Sequence, residues 1–289
     1  MKRILIVGSG DIALRVASLL RGRCQLFGLA RSPERFAGLR AAGITPLMGD
    51  LDDRASLARI AGLADCVLHF APPPNQGKRD TRTRNLLAAL SRETLPQRLI
   101  YISTSGVYGD CGGAHVSEAH PLNAHTARAQ RRVDAEQQVR GWARRNGVAS
   151  AILRVSGIYA ANRLPLERLR AGTAAIVASE DGYTNHIHAD DLARVVLAAL
   201  RKGKPNRVYH ASDDSEMKMG DYFDSVADAF GMALPPRLPR AEVERSVSPA
   251  LWSFMNESRR LTNARMKREL KVKLRYPTVT DALAAIKTA

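Results

Sequence analysis

Gly8-Ser-Gly10-Asp-Ile-Ala13 directly follows an apolar run, Ile4–Val7, and opens an amphipathic stretch, Ile12–Leu20. A G-x-G-x-x-A pattern between a strand and a helix is suited to holding a diphosphate. Gly8 permits the tight turn, Gly10 lets a phosphate approach the backbone, and Ala13 is small enough for close helix–strand packing. The N–H groups at the start of the helix, on Asp11, Ile12 and Ala13, then face the anion. A dinucleotide is therefore the expected ligand. Its identity turns on the end of the next apolar run. An acid there accepts from the ribose 2′-OH of NAD, whereas cations and a small hydroxyl suit the 2′-phosphate of NADP. Arg31, Ser32 and Arg35 supply the second set, which favours NADP and keeps NAD as the other candidate. Ordinary surface charge is the competing explanation of the two arginines.

Two further segments belong to the same site if the strands follow one another in a parallel sheet. Asp50 and Leu51 follow the third strand, where the carboxylate can meet an adenine amino group or cap a helix starting near Arg54. Phe70, Ala71 and Pro72 follow the fourth strand and would wall the ribose and diphosphate.

These positions need a scaffold, and the first 155 residues supply its rhythm. Short apolar runs at Ile4–Val7, Leu26–Leu29, Cys66–Phe70, Leu99–Ser103 and Ala151–Val155 alternate with the amphipathic stretches Ile12–Leu20, Pro33–Ala42, Thr81–Arg92 and Ala127–Arg145. That alternation predicts an α/β fold, a Rossmann-type doubly wound parallel sheet with helices on both faces. Gly43–Asp50, with Pro46, allows only a short third strand. Beyond residue 156 the rhythm loosens into a smaller C-terminal substrate lobe. Helices are expected over Asp190–Arg201, Gly220–Phe230, Arg259–Leu270 and Val279–Ile286, a short strand at Val208–His210, and extended chain at Leu234–Pro239. The expected division is a dinucleotide-binding domain over 1–155 and a substrate lobe over 156–289, with about 183–203 returning to the first domain.

Of 44 basic residues 35 are arginine, and against 28 acids they leave a net charge of +16, a field that favours anionic ligands. Three scattered cysteines, Cys24, Cys66 and Cys111, argue against a disulfide framework. No apolar run approaches the ~20 residues that span a bilayer. The chain thus reads as cytoplasmic, with no membrane partner. Cys111, His115 and His120 lack the paired spacing of a zinc site, so no metal is expected. Ser103 and Ser105 lack the G-x-S-x-G elbow of a hydrolase. The eight cations between Arg259 and Arg275 lack interleaved aromatics and read as a solvated face, which disfavours nucleic acid.

At Ile102-Ser-Thr-Ser-Gly-Val-Tyr-Gly109 the chain resembles the fifth strand and active-site loop of extended short-chain dehydrogenase/reductases, the NAD-dependent epimerase/dehydratase family. Leu153-Arg-Val-Ser-Gly-Ile-Tyr159, His186-Ile-His-Ala-Asp-Asp-Leu-Ala193, Arg259–Leu270 and Arg275-Tyr-Pro277 extend the resemblance over nearly the whole chain. It implies that Thr104 bonds the substrate oxygen. The family's proton-exchanging Tyr and ribose-holding Lys, spaced Y-x-x-x-K, are missing, since no tyrosine here has a lysine four residues later. Aligning Glu136 with the acid that follows that motif puts Arg128 at the Tyr position and Arg132 at the Lys position. Arg132 can hold the ribose as a fixed cation; Arg128 cannot act as an acid but can grip a substrate carboxylate or phosphate. The resemblance is thus to the atypical branch.

The remaining candidates for the proton are His125, Tyr108, Tyr159 and His188, each with a packing role as its ordinary alternative. Two functions follow as expectations. One is an NADP(H)-dependent oxidoreductase or epimerase on a small, polar, anionic or nucleotide-linked substrate. The other is a catalytically silent NADP(H)-binding sensor. Family members pair through their fourth and fifth helices, which makes a homodimer through Thr81–Arg92 and Ala127–Arg145 an expectation too.

Overall fold

The computed structural model describes residues 1–287. Its central sheet contains β1 (Lys2–Val7), β2 (Cys24–Ala30), β3 (Ile44–Met48), β4 (Cys66–His69), β5 (Arg98–Thr104), β6 (Ala149–Val155) and β7 (Arg207–Ala211). All seven run parallel, in the order β7-β6-β5-β4-β1-β2-β3. The order reverses between β1 and β4, and a sheet of this kind takes its ligand at the crevice outside the carboxyl ends of those strands.

Alternation along β1 shows why the sheet needs cover on both sides. Ile4 and Ile6 pack with Val16 of α1 (Asp11–Leu20) and, further on, with the helix Ala189–Lys202. Leu5 and Val7 point the other way, into a core shared with the helices Thr81–Leu90 and Ala127–Asn146. After β2, the expected helix Pro33–Ala42 breaks into a tight turn over Pro33–Arg35 and a short α2 (Phe36–Ala41). β3 is the edge strand, where Pro46 costs no central ladder bond.

The helix starts follow the sequence. Asp80 caps α3 (Thr81–Leu90) by accepting the N–H of Thr83 at 3.0 Å, and Thr126 caps α4 (Ala127–Asn146) through Ala129 at 3.1 Å. α4 ends at Gly147, whose φ of 66° is the left-handed turn that glycine accepts without strain.

The C-terminal residues build a second set of small cores. Tyr159, Leu169, Phe223, Val226, Val279 and Leu283 pack together around the helix Met219–Ala229. Arg237–Leu238 is extended and pairs with Ala175–Ile176. The expected helix Arg259–Leu270 is corrected: only Ala264–Leu270 is helical, while Arg260–Leu261 is a short strand beside His115–Val116. The backbone amides of Arg260 and Thr262 are taken by Ala114 and Val116, which holds that segment out of a helix. Among the described residues no helix is long and apolar enough to cross a membrane.

Candidate functional site

The carboxyl ends of β1, β2 and β4 open onto a cleft of about 860 Å³. Gly8 has a φ of 99°, and a Cβ on it would lie 2.4 Å from the backbone nitrogen of Ala71. Only glycine lets these two strand ends approach so closely. Gly10 is different: its backbone is extended and a Cβ there would meet nothing within 4 Å. That open space faces the first turn of α1, which has no side-chain cap. Its amides and an unfilled cradle fit a diphosphate.

Every residue expected to hold the cofactor lines this one cleft: Gly8, Gly10, Asp11, Ile12, Ala13, Arg31, Ser32, Arg35, Asp50, Leu51, Phe70, Ala71 and Pro72. Arg35 donates to the carbonyl of Ser9 at 2.9 Å, which ties the end of β2 to the glycine turn. The Asp50 carboxylate accepts from the N–H of Asp52 at 3.0 Å, and Asp53 instead bonds the N–H of Ala55 at the start of the next turn. The sequence reading missed three charged residues here, Glu34, Arg82 and Arg163. Glu34 also lines the cleft, because the tight turn over Pro33–Arg35 swings it back. Arg82 lines it too, gripped by Asp52 at 2.6 Å and donating to the carbonyls of Pro72 and Pro73.

Arg132 reaches the cleft from α4 and donates to the carbonyl of Ile102 at 2.8 Å and to the Tyr101 hydroxyl at 3.0 Å. Burial pushes the Tyr101 phenol up to about 12, so it stays protonated.

A second cavity, of about 530 Å³, opens beyond the end of β5, and Ile158 and Arg163 line both. Thr104 and Arg128 line this second cavity with Ser105, Tyr159, Arg168, Tyr183, His186, Tyr222, Phe223, Phe254 and Arg259. The Thr104 hydroxyl accepts from the N–H of Gly106 at 3.3 Å. The Arg128 guanidinium lies 3.7 Å from the centre of the Phe254 ring, and that of Arg168 lies 3.9 Å from Phe223. Arg168 donates to the carbonyl of Ala174 at 3.1 Å, while its Nε is buried without a hydrogen-bond partner. Burial pulls Arg168 down to about 10, with Asp181 opposing. Among the described residues neither Arg128 nor Arg168 forms an ion pair, so both leave charge for an anion.

Below this cavity His186 stacks on Tyr222 with ring centres 4.2 Å apart. Burial holds His186 down to about 3, a neutral imidazole. Burial and the Asp213 charge raise both Tyr159 and Tyr222, keeping their hydroxyls protonated. Burial also lifts Asp213 up to about 7.

The other proton candidates fall elsewhere. His125 is exposed and lines neither of the two cavities. His188 caps the helix Ala189–Lys202, its Nδ1 accepting from Asp190 at 3.2 Å. Tyr108 is fully buried: its hydroxyl donates to His210 Nε2 at 2.6 Å and accepts from Arg154 at 2.6 Å. This network anchors the turn Ser105–Tyr108 that carries the lip of the second cavity.

A model of the NAD dependent epimerase/dehydratase family matches residues 4–212. The chain belongs to that family. Among curated epimerase/dehydratase relatives, it is 26% identical over 192 residues to a dTDP-glucose 4,6-dehydratase of Mycobacterium tuberculosis (strain CDC 1551 / Oshkosh). That match covers 59% of this chain and 57% of the relative. Among solved structures, a functionally unknown conserved protein from Silicibacter pomeroyi DSS is 27% identical, with a TM-score of 0.81 over 100% of this chain and 99% of that one. DesIV, a dTDP-glucose 4,6-dehydratase from Streptomyces venezuelae solved with NAD and TYD bound, shares the fold at 19% identity and a TM-score of 0.79, covering 99% of this chain and 96% of that one. Within this epimerase/dehydratase framework the chain carries arginine at 128 and 132 and no Y-x-x-x-K.

Proposed function

We propose that this chain is an NADP(H)-dependent oxidoreductase or epimerase acting on a small, polar, anionic substrate of the nucleotide-linked kind. The observation that carries the reading is the junction of the two cavities at Ile158 and Arg163. One cavity carries the glycine cradle, and the other carries Arg128 and Arg168, whose opposing charges, Glu257 and Asp181, form no ion pair with them among the described residues. The bound nicotinamide supplies or accepts a hydride. Gly8, Gly10 and the amides of residues 11–13 hold its diphosphate. Arg31, Ser32 and Arg35 recognise the 2′-phosphate, Asp50 and Leu51 lie at the adenine, and Phe70, Ala71 and Pro72 wall the ribose and diphosphate. Thr104 orients the substrate oxygen and Arg132 steadies the ribose. Arg128 and Arg168 grip the anionic group, in keeping with the nucleotide-linked sugar that a relative's name records. Of the four proton candidates Tyr159 alone lines this cavity, but burial raises its phenol and its hydroxyl donates to the Thr278 carbonyl at 3.4 Å, which makes it a weak acid there. The chain is proposed to work in the cytoplasm, and to pair as a homodimer through α3 and α4.

A second reading has its own observation. The α4 positions that would carry the acid hold Arg128, stacked on Phe254, and Arg132, tied to Ile102 and Tyr101. Guanidinium donates no proton at physiological pH, so a silent NADP(H) sensor would look the same there. Two assays separate them: hydride transfer from 4-labelled NADPH to keto substrates, and conversion of sugar nucleotides with NADP⁺ present, which accepts their hydride. Label in a reduced product or conversion of a sugar nucleotide supports the enzyme; tight coenzyme binding with neither supports the sensor.

A further inference from the structure

Five cations line the cofactor cleft, namely Arg31, Arg35, Arg82, Arg132 and Arg163. Three of them are already engaged by protein groups. Arg82 is held by Asp52, and Arg132 by Ile102 and Tyr101. Arg35 bonds the Ser9 carbonyl, and Arg31 stands at the end of β2. Arg163 alone comes from outside the glycine-turn half of the fold. It sits on a tight turn, Ala161–Arg163, that follows the short strand Gly157–Tyr159 and leads into the helix Leu166–Arg170.

That turn reaches across to α1. The Arg163 guanidinium meets the Asp11 carboxylate at 3.4 Å, and the side-chain oxygen of Asn162 accepts from Arg15 at 3.4 Å. Asp11 is the first residue of α1, at the mouth of the cradle. An acid at that place repels the diphosphate that the amides attract. Asp11 is better held by Arg15, through two contacts of 3.1 Å, than by Arg163. The Arg163 side chain is 37% exposed and therefore free to turn.

We propose that Arg163 is a ligand of the cofactor's diphosphate, supplied by the substrate lobe and released to it from Asp11. Asp11 keeps Arg15 when Arg163 leaves, so no carboxylate is stranded. The anion exchanges a long, single ion pair for a guanidinium that can engage a phosphate through two N–H groups. Because Arg163 also lines the second cavity, the same movement changes that cavity's wall. This assignment rests on the dinucleotide reading given above.

Calorimetric titration of the full chain tests it, with NADPH and 2′-AMP as the probes. Arg163→Gln is expected to weaken NADPH binding about tenfold while leaving 2′-AMP, which lacks the diphosphate, unchanged. Asp11→Asn is expected to bind NADPH at least as tightly as the wild type, because it removes the repulsion and frees Arg163. Arg163→Lys recovers part of the loss. Equal NADPH affinity in the wild type and Arg163→Gln overturns the assignment while the dinucleotide reading stands. So does parallel weakening by Arg163→Gln and Asp11→Asn, which marks the pair as a structural tie. A wild type that binds neither NADPH nor NADH overturns the dinucleotide reading itself.

Discussion

The Arg154 guanidinium grips Glu136 with two hydrogen bonds, at 3.1 and 2.7 Å, and the two side chains are only 4% and 3% exposed. Its other arm donates to the Tyr108 hydroxyl, which in turn donates to His210, whose Nδ1–H reaches the carbonyl of Thr262. The direction of each bond follows from Thr262, since a carbonyl only accepts. The chain of bonds joins β6, α4, the turn after β5, β7 and the C-terminal segment. Arg154→Met should leave Glu136 buried and unpaired and cost about 3–5 kcal/mol. Adding Glu136→Leu should recover much of that loss, as an apolar pair replaces a stranded charge. Urea unfolding of the wild type and the two variants checks both statements, and a loss below about 1 kcal/mol for Arg154→Met would contradict them.

Gly8 and Gly10 should fail differently. Gly8→Ala places a Cβ 2.4 Å from Ala71 at a φ of 99°, so the strand ends must part and stability should fall by about 2 kcal/mol or more. Gly10→Ala has open space and an ordinary φ of −90°, so the unfolding midpoint should barely move. Its methyl group instead fills the cradle, and NADPH affinity should drop about tenfold or further. Unfolding curves and binding titrations on the two variants together give the check; equal effects on both readouts would sink the distinction.

Acid should destabilise the chain through its buried imidazoles. Burial holds His69, His186 and His210 each down to about 3, against an ordinary value of 6.5. The native state therefore binds fewer protons than the unfolded chain between those values. Their contribution is complete above pH 6.5 and falls away as pH drops toward 3. Asp213 acts in the opposite sense, because burial lifts it from 3.8 to about 7. Its native form holds an extra proton in that window, and stability is lost as pH rises through it. Burial raises Asp80 and Asp181 in the same sense as Asp213 and lowers His188 in the same sense as the other imidazoles, so four imidazoles oppose three carboxyls and the urea midpoint should fall on going from pH 7 to pH 4. Asp213→Asn should gain stability over the wild type at pH 8 compared with pH 5, and His210→Gln should flatten the acid slope. A midpoint flat from pH 7 to 4 would rule out this balance.

How much of this was legible before the coordinates depends on the range of the interaction. Ile4–Val7 announces a strand covered on both faces because every residue is apolar, Ala151–Val155 does so with Arg154 as its one polar member, and Gly8 to Ala13 carry their own turn chemistry. The whole expected cofactor set lines one cleft, since each member lies in the turn or first helical residues that follow a strand end. Glu34 escaped because a tight turn, not a helix, follows Pro33. Arg168 and Phe254 escaped for another reason. They sit on helices of five and seven residues, too short to show a period, and are brought together with Phe223 and Arg128 only by tertiary packing. Arg260 looked helical because its pairing partner, His115, is far away in sequence. His125 has the right intrinsic chemistry, but the loop before α4 leaves it exposed and outside both cavities.

Cofactor selectivity should rest on the end of β2, where two opposing charges face the same cleft. Arg31 and Arg35 invite a 2′-phosphate, whereas Glu34 repels it and could accept from a 2′-OH. Arg35 is already engaged with the Ser9 carbonyl, so Arg31 is the freer cation. Arg31→Ala should weaken NADPH binding about tenfold and change NADH little, because only the 2′-phosphate is lost as a partner. Glu34→Gln should act the other way, tightening NADPH a few-fold by removing a like charge. Raising the salt concentration should shrink both effects, since these side chains are exposed and screened. Paired titrations of wild type, Arg31→Ala and Glu34→Gln with both coenzymes give the answer. Tighter NADH than NADPH binding in the wild type, with Glu34→Gln abolishing that advantage, would make Glu34 the residue that chooses and the cofactor NAD.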